Sequence, residues 1–386
     1  MNNFPRATSS ADRILTVLLI VFSGLAVYSR TLGHPFAFDD FGSIVGNPSL
    51  ERICGWEWID FNWRRCVGYF TFALNFQAGG LSVGGYHLTN IAIHACNAVL
   101  VWWLVRLIFR TPSMDGHPLR RRADSIALFT SLIFSTHPVM TEAVTYIVQR
   151  LMSLASLFYL LTACLYVKAR LAETPGEMRR TFLLGALLAS LMGFFTKEIA
   201  YTIPPALIMI EAVCFRDRSG IRALGWPIRI VGALFLLVVV LSFLAMLDTA
   251  YLSDIPPREG RQYGISATEY WLTETRAVAT YLRLLVLPFG QTLLHDYPLS
   301  KSVLEPKTAL SVVFLLVLGA MAVLLRKRQP VVAFGLLWFL ITISAQAIVP
   351  RPNVFFEHRA YLSGVGVFMI VTAGIYGLAE RAPDHV

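Results

Sequence analysis

The stretch LTNIAIHACNAVLVWWLVRLIF, residues 88–109, decides the class of fold. It is long enough to cross a bilayer as a helix, which takes about 20 mostly apolar residues. It is not uniformly apolar. His87, Asn90, His94 and Asn97 are spaced 3, 4 and 3 along it, which places all four on one helix face. A polar stripe on a membrane helix faces other helices rather than lipid, so this span belongs to a bundle.

Similar runs extend to both sides, at 14–32, 124–138, 145–167, 181–196, 199–215, 229–249, 308–325, 331–349 and 361–379. An additional segment, 276–294, is apolar but carries Arg276, Arg283 and a Pro288-Phe289-Gly290 break. It is expected to be re-entrant, since broken backbone at membrane depth is tolerated inside protein. Composition agrees. Of 386 residues 56% are hydrophobic and 15% charged, against about 25% charged in soluble domains. A soluble enzyme, a disordered chain and a nucleic-acid-binding domain are excluded. The expected fold is an all-α integral membrane protein with about ten crossings and one re-entrant segment. It forms a single transmembrane domain over 1–386, with no soluble repeat domain.

The net charge of +9 reports orientation. Arg13, Arg110, Arg120–Arg122, Lys168, Arg170, Arg179, Arg180 and Arg326–Arg328 cluster in short connections. All are cytoplasmic if both ends of the chain are cytoplasmic. The outer face then holds a long first loop, 33–87, a second loop, 250–275, and most of the acidic residues. The first run is expected to stay as a span, since no small-residue cleavage site follows it. Cys54 and Cys66 share the first loop and can pair if that side is oxidising; the alternative is two thiols.

The candidate chemistry gathers at outer span ends. Asp39 and Asp40 follow the first span within His34-Pro35-Phe36-Ala37-Phe38-Asp39-Asp40-Phe41. Such a pair can act as a general base, hold a divalent cation such as Mg or Mn, or simply stop the helix. His137-Pro138-Val139-Met140-Thr141-Glu142, then Arg150, then Lys197-Glu198 supply further charges. So do Glu357-His358-Arg359-Ala360-Tyr361. Arg and Lys among them suit a phosphate; internal salt bridges at helix ends are the structural alternative. His94 and Asn97 lie deep and read as interhelical hydrogen-bonding groups, while His87 lies nearer the outer surface. Trp56, Trp58, Phe61, Trp63, Tyr69 and Phe70 suggest an interfacial helix in the first loop. No nucleotide-binding motif appears, so a transfer reaction would need an already activated donor. A transporter or flippase of a lipid-linked sugar is the alternative class.

Phe38-Asp39-Asp40, His87-xx-Asn90-xxx-His94, His137-Pro138-xxx-Glu142-Ala143-Val144-xxxxx-Arg150, Lys197-Glu198 and Glu357-x-Arg359-x-Tyr361 occur in this order. The set resembles the membrane part of the transmembrane and tetratricopeptide-repeat O-mannosyltransferases and their bacterial relatives, in the GT-C superfamily. The resemblance implies transfer of a sugar from a polyprenyl-phosphate donor to a hydroxyl acceptor outside the cytoplasm, by inversion. Asp39 or Asp40 would be the base, with Lys197, Arg150 and Arg359 on the donor phosphate. Glu142, Glu198, His137, His87, Glu357 and His358 would orient sugar or acceptor. A protein Ser or Thr is the implied acceptor; the compact size also resembles bacterial pilin glycosyltransferases. The tetratricopeptide repeats are not seen in this sequence, and Arg64-Arg65 stands where the family often has Arg-Pro. A bacterial inner membrane, with the site facing the periplasm, is the expected location.

Overall fold

The computed structural model describes residues 9–52, 62–172, 176–215, 265–348 and 353–380. The expected span at 229–249, most of the 250–275 loop, Cys54, Trp56, Trp58 and Phe61 lie outside these residues. The protein is all-α, as its apolar runs required. The domain expected over 1–386 packs as two compact units, Met1–Ala200 with Phe368–Val386, and Tyr201–Val367.

In the first unit, α1 (Ser10–Tyr28) starts at a capping box between Ser9 and Asp12. It continues as a 3-10 turn to Gly33. Within the expected first loop lies α2 (Cys66–Gly79), and α3 (Val83–Ile108) starts before its expected end; then come α4 (Ala123–Thr136), the single turn α5 (Thr141–Thr145), α6 (Arg150–Arg170) and α7 (Glu177–Phe194). The helices are joined by small polar groups, as expected where apolar lipid supplies no hydrophobic drive between helices. Ser131 Oγ donates to Ala98 O at 2.6 Å, Asn97 Nδ2 to Ser153 O at 2.8 Å, and Thr162 Oγ1 to Ala186 O at 3.3 Å. His94 Nε2 meets Ser135 O at 3.1 Å, and its ring stacks on Phe134. The stripe read on 88–109 is therefore a set of latches. Gly68 lets α2 close on α6, since a Cβ there would fall 2.0 Å from Leu151 Cδ2.

In the second unit, α8 (Ile203–Ile210) carries Pro204 and Pro205 in its first turn. A second capping box, Ser266 with Glu269, starts α9 (Ala267–Val286). Then come α10 (Pro306–Leu325) and α11 (Pro330–Ile348), and α12 (Gly364–Ala379), whose residues from Phe368 onward belong to the first unit. The segment expected at 276–294 thus begins earlier, at Ala267, and is helical only to Val286. Pro288 and Gly290 (φ +74°) lie in irregular chain after it. Gly366 sits against Gly335, where a Cβ would come 2.3 Å from the Gly335 carbonyl oxygen.

Among the described residues, five helical stretches are long and apolar enough to cross a membrane: Ser10–Gly33, Val83–Ile108, Ile147–Arg170, Glu198–Phe215 and Pro306–Leu325. Pro330–Ala345 and Gly364–Ala379 are apolar but shorter. α4 rises about 21 Å over its length, less than the roughly 30 Å hydrocarbon core.

Candidate functional site

The first unit gathers its sequence-predicted charges at one end, where α1 and α4 finish and α3 and α6 begin. Chain leaving the turn after α1 becomes extended at His34, and His34 O meets His87 Nε2 at 3.0 Å. Phe38 then adopts φ +44°, the one left-handed non-glycine backbone among the described residues. For a bulky side chain this is strained, and such strain persists where surrounding contacts impose it. The contacts are visible. Phe38 lies edge-on to Tyr146 at 6.3 Å, and the Asp39 backbone N–H donates to the Tyr146 hydroxyl at 2.8 Å.

The two carboxylates part company here. Asp40 is 1% exposed; its Oδ2 accepts from Ala37 N at 3.0 Å and its Oδ1 from Val148 N at 2.7 Å. Burial pushes its carboxyl up to about 6, against the pull of those backbone donors. Asp40 is thus the staple that fastens the turn to the start of α6. Asp39 is exposed. Burial likewise raises the Tyr146 phenol, which stays protonated.

Arg150 is wholly buried and spends its guanidinium internally. Nε donates to Asn90 Oδ1 at 2.7 Å, Nη1 to Thr71 O at 3.1 Å, and Nη2 to Tyr86 O at 3.0 Å. It also lies over the Phe72 ring at 4.5 Å. Asn90 in turn donates to Val144 O and Ile147 O. These contacts tie α2, α3 and the 144–150 segment together, so Arg150 positions the site instead of presenting a surface cation.

Lys197 follows α7 and is 5% exposed, with Nζ donating to Gln149 Oε1 at 2.8 Å. Glu198 pairs with Arg65 at 2.7 Å. Glu142 is buried in α5. His137 acts locally. Its Nδ1 accepts from Val139 N at 3.3 Å, capping the turn that Pro138 opens, and its ring packs on Phe368 at 4.8 Å. The same His-Pro cap recurs at His117-Pro118.

In the second unit, Glu357 accepts from Gln291 Nε2 at 2.8 Å, Thr292 N at 2.9 Å and His295 Nε2 at 2.8 Å. Arg359 pairs with Glu274 at 3.0 Å, both side chains 3% exposed, and also donates to Val354 O and Asn353 O. His358 is buried, its ring 5.2 Å from Phe356. These groups hold the irregular 287–305 segment and the 353–360 turn.

Tyr146 and Gln149 were not among the sequence candidates. Tyr146 and Gln149 fall in the unassigned positions between Val144 and Arg150; the dense spacing of polar groups around them was the available signal. Among the described residues no group of three or more His, Cys, Asp or Glu side chains is set to hold a metal ion. Of the adjacent pair, Asp40 is buried with both oxygens engaged by backbone N–H groups, so only Asp39 is placed to meet a divalent cation.

Fold and site define a polytopic helical membrane protein with one exposed carboxylate on a strained, stapled turn directly after its first span. In sequence the chain is similar to protein O-mannosyl-transferases, the family its motifs resemble. It is 31% identical over 196 residues to protein O-mannosyl-transferase TMTC2 of Homo sapiens, covering 47% of this chain and 22% of that protein. It is 30% identical over 230 residues to protein O-mannosyl-transferase F38B6.6 of Caenorhabditis elegans (55% and 30%). It is 29% identical over 168 residues to protein O-mannosyl-transferase TMTC4 of Mus musculus (39% and 23%). The matched region therefore spans less than a third of each of these relatives. No family model matches the chain, and no solved structure matches it.

Proposed function

We propose that this protein is a membrane glycosyltransferase that moves a sugar from a polyprenyl-phosphate donor to a hydroxyl acceptor on the non-cytoplasmic face, with Asp39 as general base. One observation carries the assignment of the base: of two adjacent carboxylates, Asp40 is buried and bonded through both oxygens, while Asp39 is exposed on the same fixed turn. Asp39 takes the proton from the acceptor hydroxyl. The oxygen attacks the anomeric carbon, the carbon–oxygen bond to phosphate breaks, and the phosphate leaves with the bonding pair and its lipid tail. A single displacement inverts the anomeric centre. Lys197 is the candidate for the departing phosphate, since a cation offsets the developing charge. Arg150 acts through the segments it holds, and Glu142, Glu198, His137 and His87 shape the sugar and acceptor surroundings. The relatives' names make mannose the first sugar to test and a protein Ser or Thr the first acceptor, a pilin among them. The bacterial inner membrane, with this site on the periplasmic side, is the location we propose.

The test is transfer by the purified protein in liposomes, from polyprenyl-phosphate-linked mannose to a Ser/Thr peptide. Mass spectrometry of co-purifying lipid runs in parallel. Glycosylated peptide, with polyprenyl phosphate retained on the protein, is expected, and Lys197→Ala should raise donor KM. Movement of the intact donor across the bilayer with no product would overturn the reading in favour of a flippase.

A further inference from the structure

The opposite end of the first unit carries a second built site. It lies where α1 and α4 begin and α3 ends. A cavity of about 150 Å³ opens there, and its lining includes Asp12, Arg13, Thr16, Trp102, Arg106 and Asp124. One water needs only about 10–15 Å³ on this measure. Arg106 is buried, stacks on Trp102 at 4.5 Å, and is held by Asp124 at 2.5 Å. Arg110 stands close by; partial burial, then the charges of Arg106 and Arg13, pull its guanidinium below its ordinary value. Asp12 is fixed by its bond from Ser9 N at 2.9 Å.

The charges in the wall decide the ligand. Two carboxylates and two guanidiniums sum to zero, so neither a simple anion nor a simple cation is favoured. A zwitterion with its charges a few ångströms apart matches both signs. The site also sits at a span end with a tryptophan, the level of lipid headgroups. Beside it Leu15, Leu18 and Phe22 of α1 and Phe129 of α4 are exposed, giving acyl chains an apolar path.

We infer that this cavity binds a phosphoethanolamine lipid headgroup. Its phosphodiester lies on Arg13 and Arg106, and its primary ammonium donates to Asp12. The site is independent of Asp39 and of the transfer reaction.

The test is native mass spectrometry of the full chain from vesicles of equal phosphatidylethanolamine, phosphatidylcholine and phosphatidylglycerol. Phosphatidylethanolamine should be retained about tenfold or more over each of the others, the effect of one net charge-assisted hydrogen bond. Asp12→Asn, whose amide oxygen can still accept from Ser9 N, should remove the preference over phosphatidylcholine. Arg13→Gln should lower retention of all three. Should a variant fail to fold, wild-type protein with mono-, di- and trimethylated ethanolamine lipids gives the same information, with retention falling as N–H groups are lost. Equal retention, preference for phosphatidylglycerol, or displacement of lipid by millimolar O-phosphoethanolamine or inorganic phosphate would overturn the inference. Displacement would identify a soluble phosphoester as the occupant.

Discussion

Each unit holds a cluster of ionisable groups that the sequence marked, and the two clusters are built differently. Around Glu357 and Arg359 every predicted charge is buried. Glu357 is surrounded by three donors and Arg359 faces Glu274. Around Asp39 the surroundings are fixed as firmly, but one carboxylate is left exposed. Buried, mutually satisfied charges hold irregular chain in place; an exposed charge on a rigid support is available to a substrate. On the function proposed above, the difference puts the chemistry in the first unit and leaves the Glu357 cluster as scaffolding.

The hardest blow to this contrast would come from Asp39→Asn. The substitution is exposed and nearly isosteric, so folding should be unchanged. Loss of a general base lowers turnover about 10²–10⁴-fold, measured as kcat for peptide glycosylation. Activity near wild type would mean that the exposed carboxylate is not the base, and the contrast would lose its meaning.

Next comes Arg359→Met, which leaves Glu274 buried without its cation. Breaking a buried pair costs about 3–5 kcal/mol, read as a lower unfolding midpoint in detergent. Adding Glu274→Leu should restore most of the loss, because the second change removes the stranded charge. Unchanged stability with a raised donor KM would instead put Arg359 on the donor phosphate and make the second unit part of the site.

Much of this was legible in the chain and some was not. The runs at 14–32, 88–109, 145–167, 199–215 and 308–325 were visible because lipid-facing and bundle-facing residues are both apolar, so length alone marks a span. The latch role of His94 and Asn97 followed from their spacing. A helix in the first loop was expected from its aromatics, two of which, Tyr69 and Phe70, lie in α2; its bounds were not visible, because apolar residues are spread around it without a dominant face and it is short. Nor could sequence separate Asp39 from Asp40. What separates them is the Val148 N–H, 108 positions away. Arg150 and Arg359 looked like phosphate ligands because residue type does not encode burial. Their acceptors are mostly backbone carbonyls, which carry no signature in sequence.

Asp40 itself gives a gentler test. Its carboxyl is raised in the folded state, from 3.8 to about 6. Between these values the folded protein binds more protons than the unfolded chain, so stability falls as pH rises from about 4 to about 6 and then levels. The loss is on the order of 2 kcal/mol. Asp40→Asn turns one amide N–H towards a backbone N–H, so it is less stable than wild type overall. The diagnostic is the slope. The stability difference between the two proteins should shrink as pH rises from 4 to 6, and a constant difference would mean that Asp40 does not titrate in that window.

The smallest effect is expected at Tyr146. Its hydroxyl accepts the Asp39 N–H, and its ring supports Phe38 in the left-handed conformation. Tyr146→Phe keeps the ring and removes the acceptor, at a cost of about 1 kcal/mol in stability. The turn then loses one of the bonds that fix where the Asp39 carboxylate points. Because Tyr146 acts through Asp39, kcat should drop about tenfold while donor and acceptor KM stay level, the pattern for misplaced catalytic groups. A rise in acceptor KM at constant kcat would place the hydroxyl on the acceptor itself. In that case Tyr146 would move from the support of the exposed carboxylate to the surface that meets the substrate.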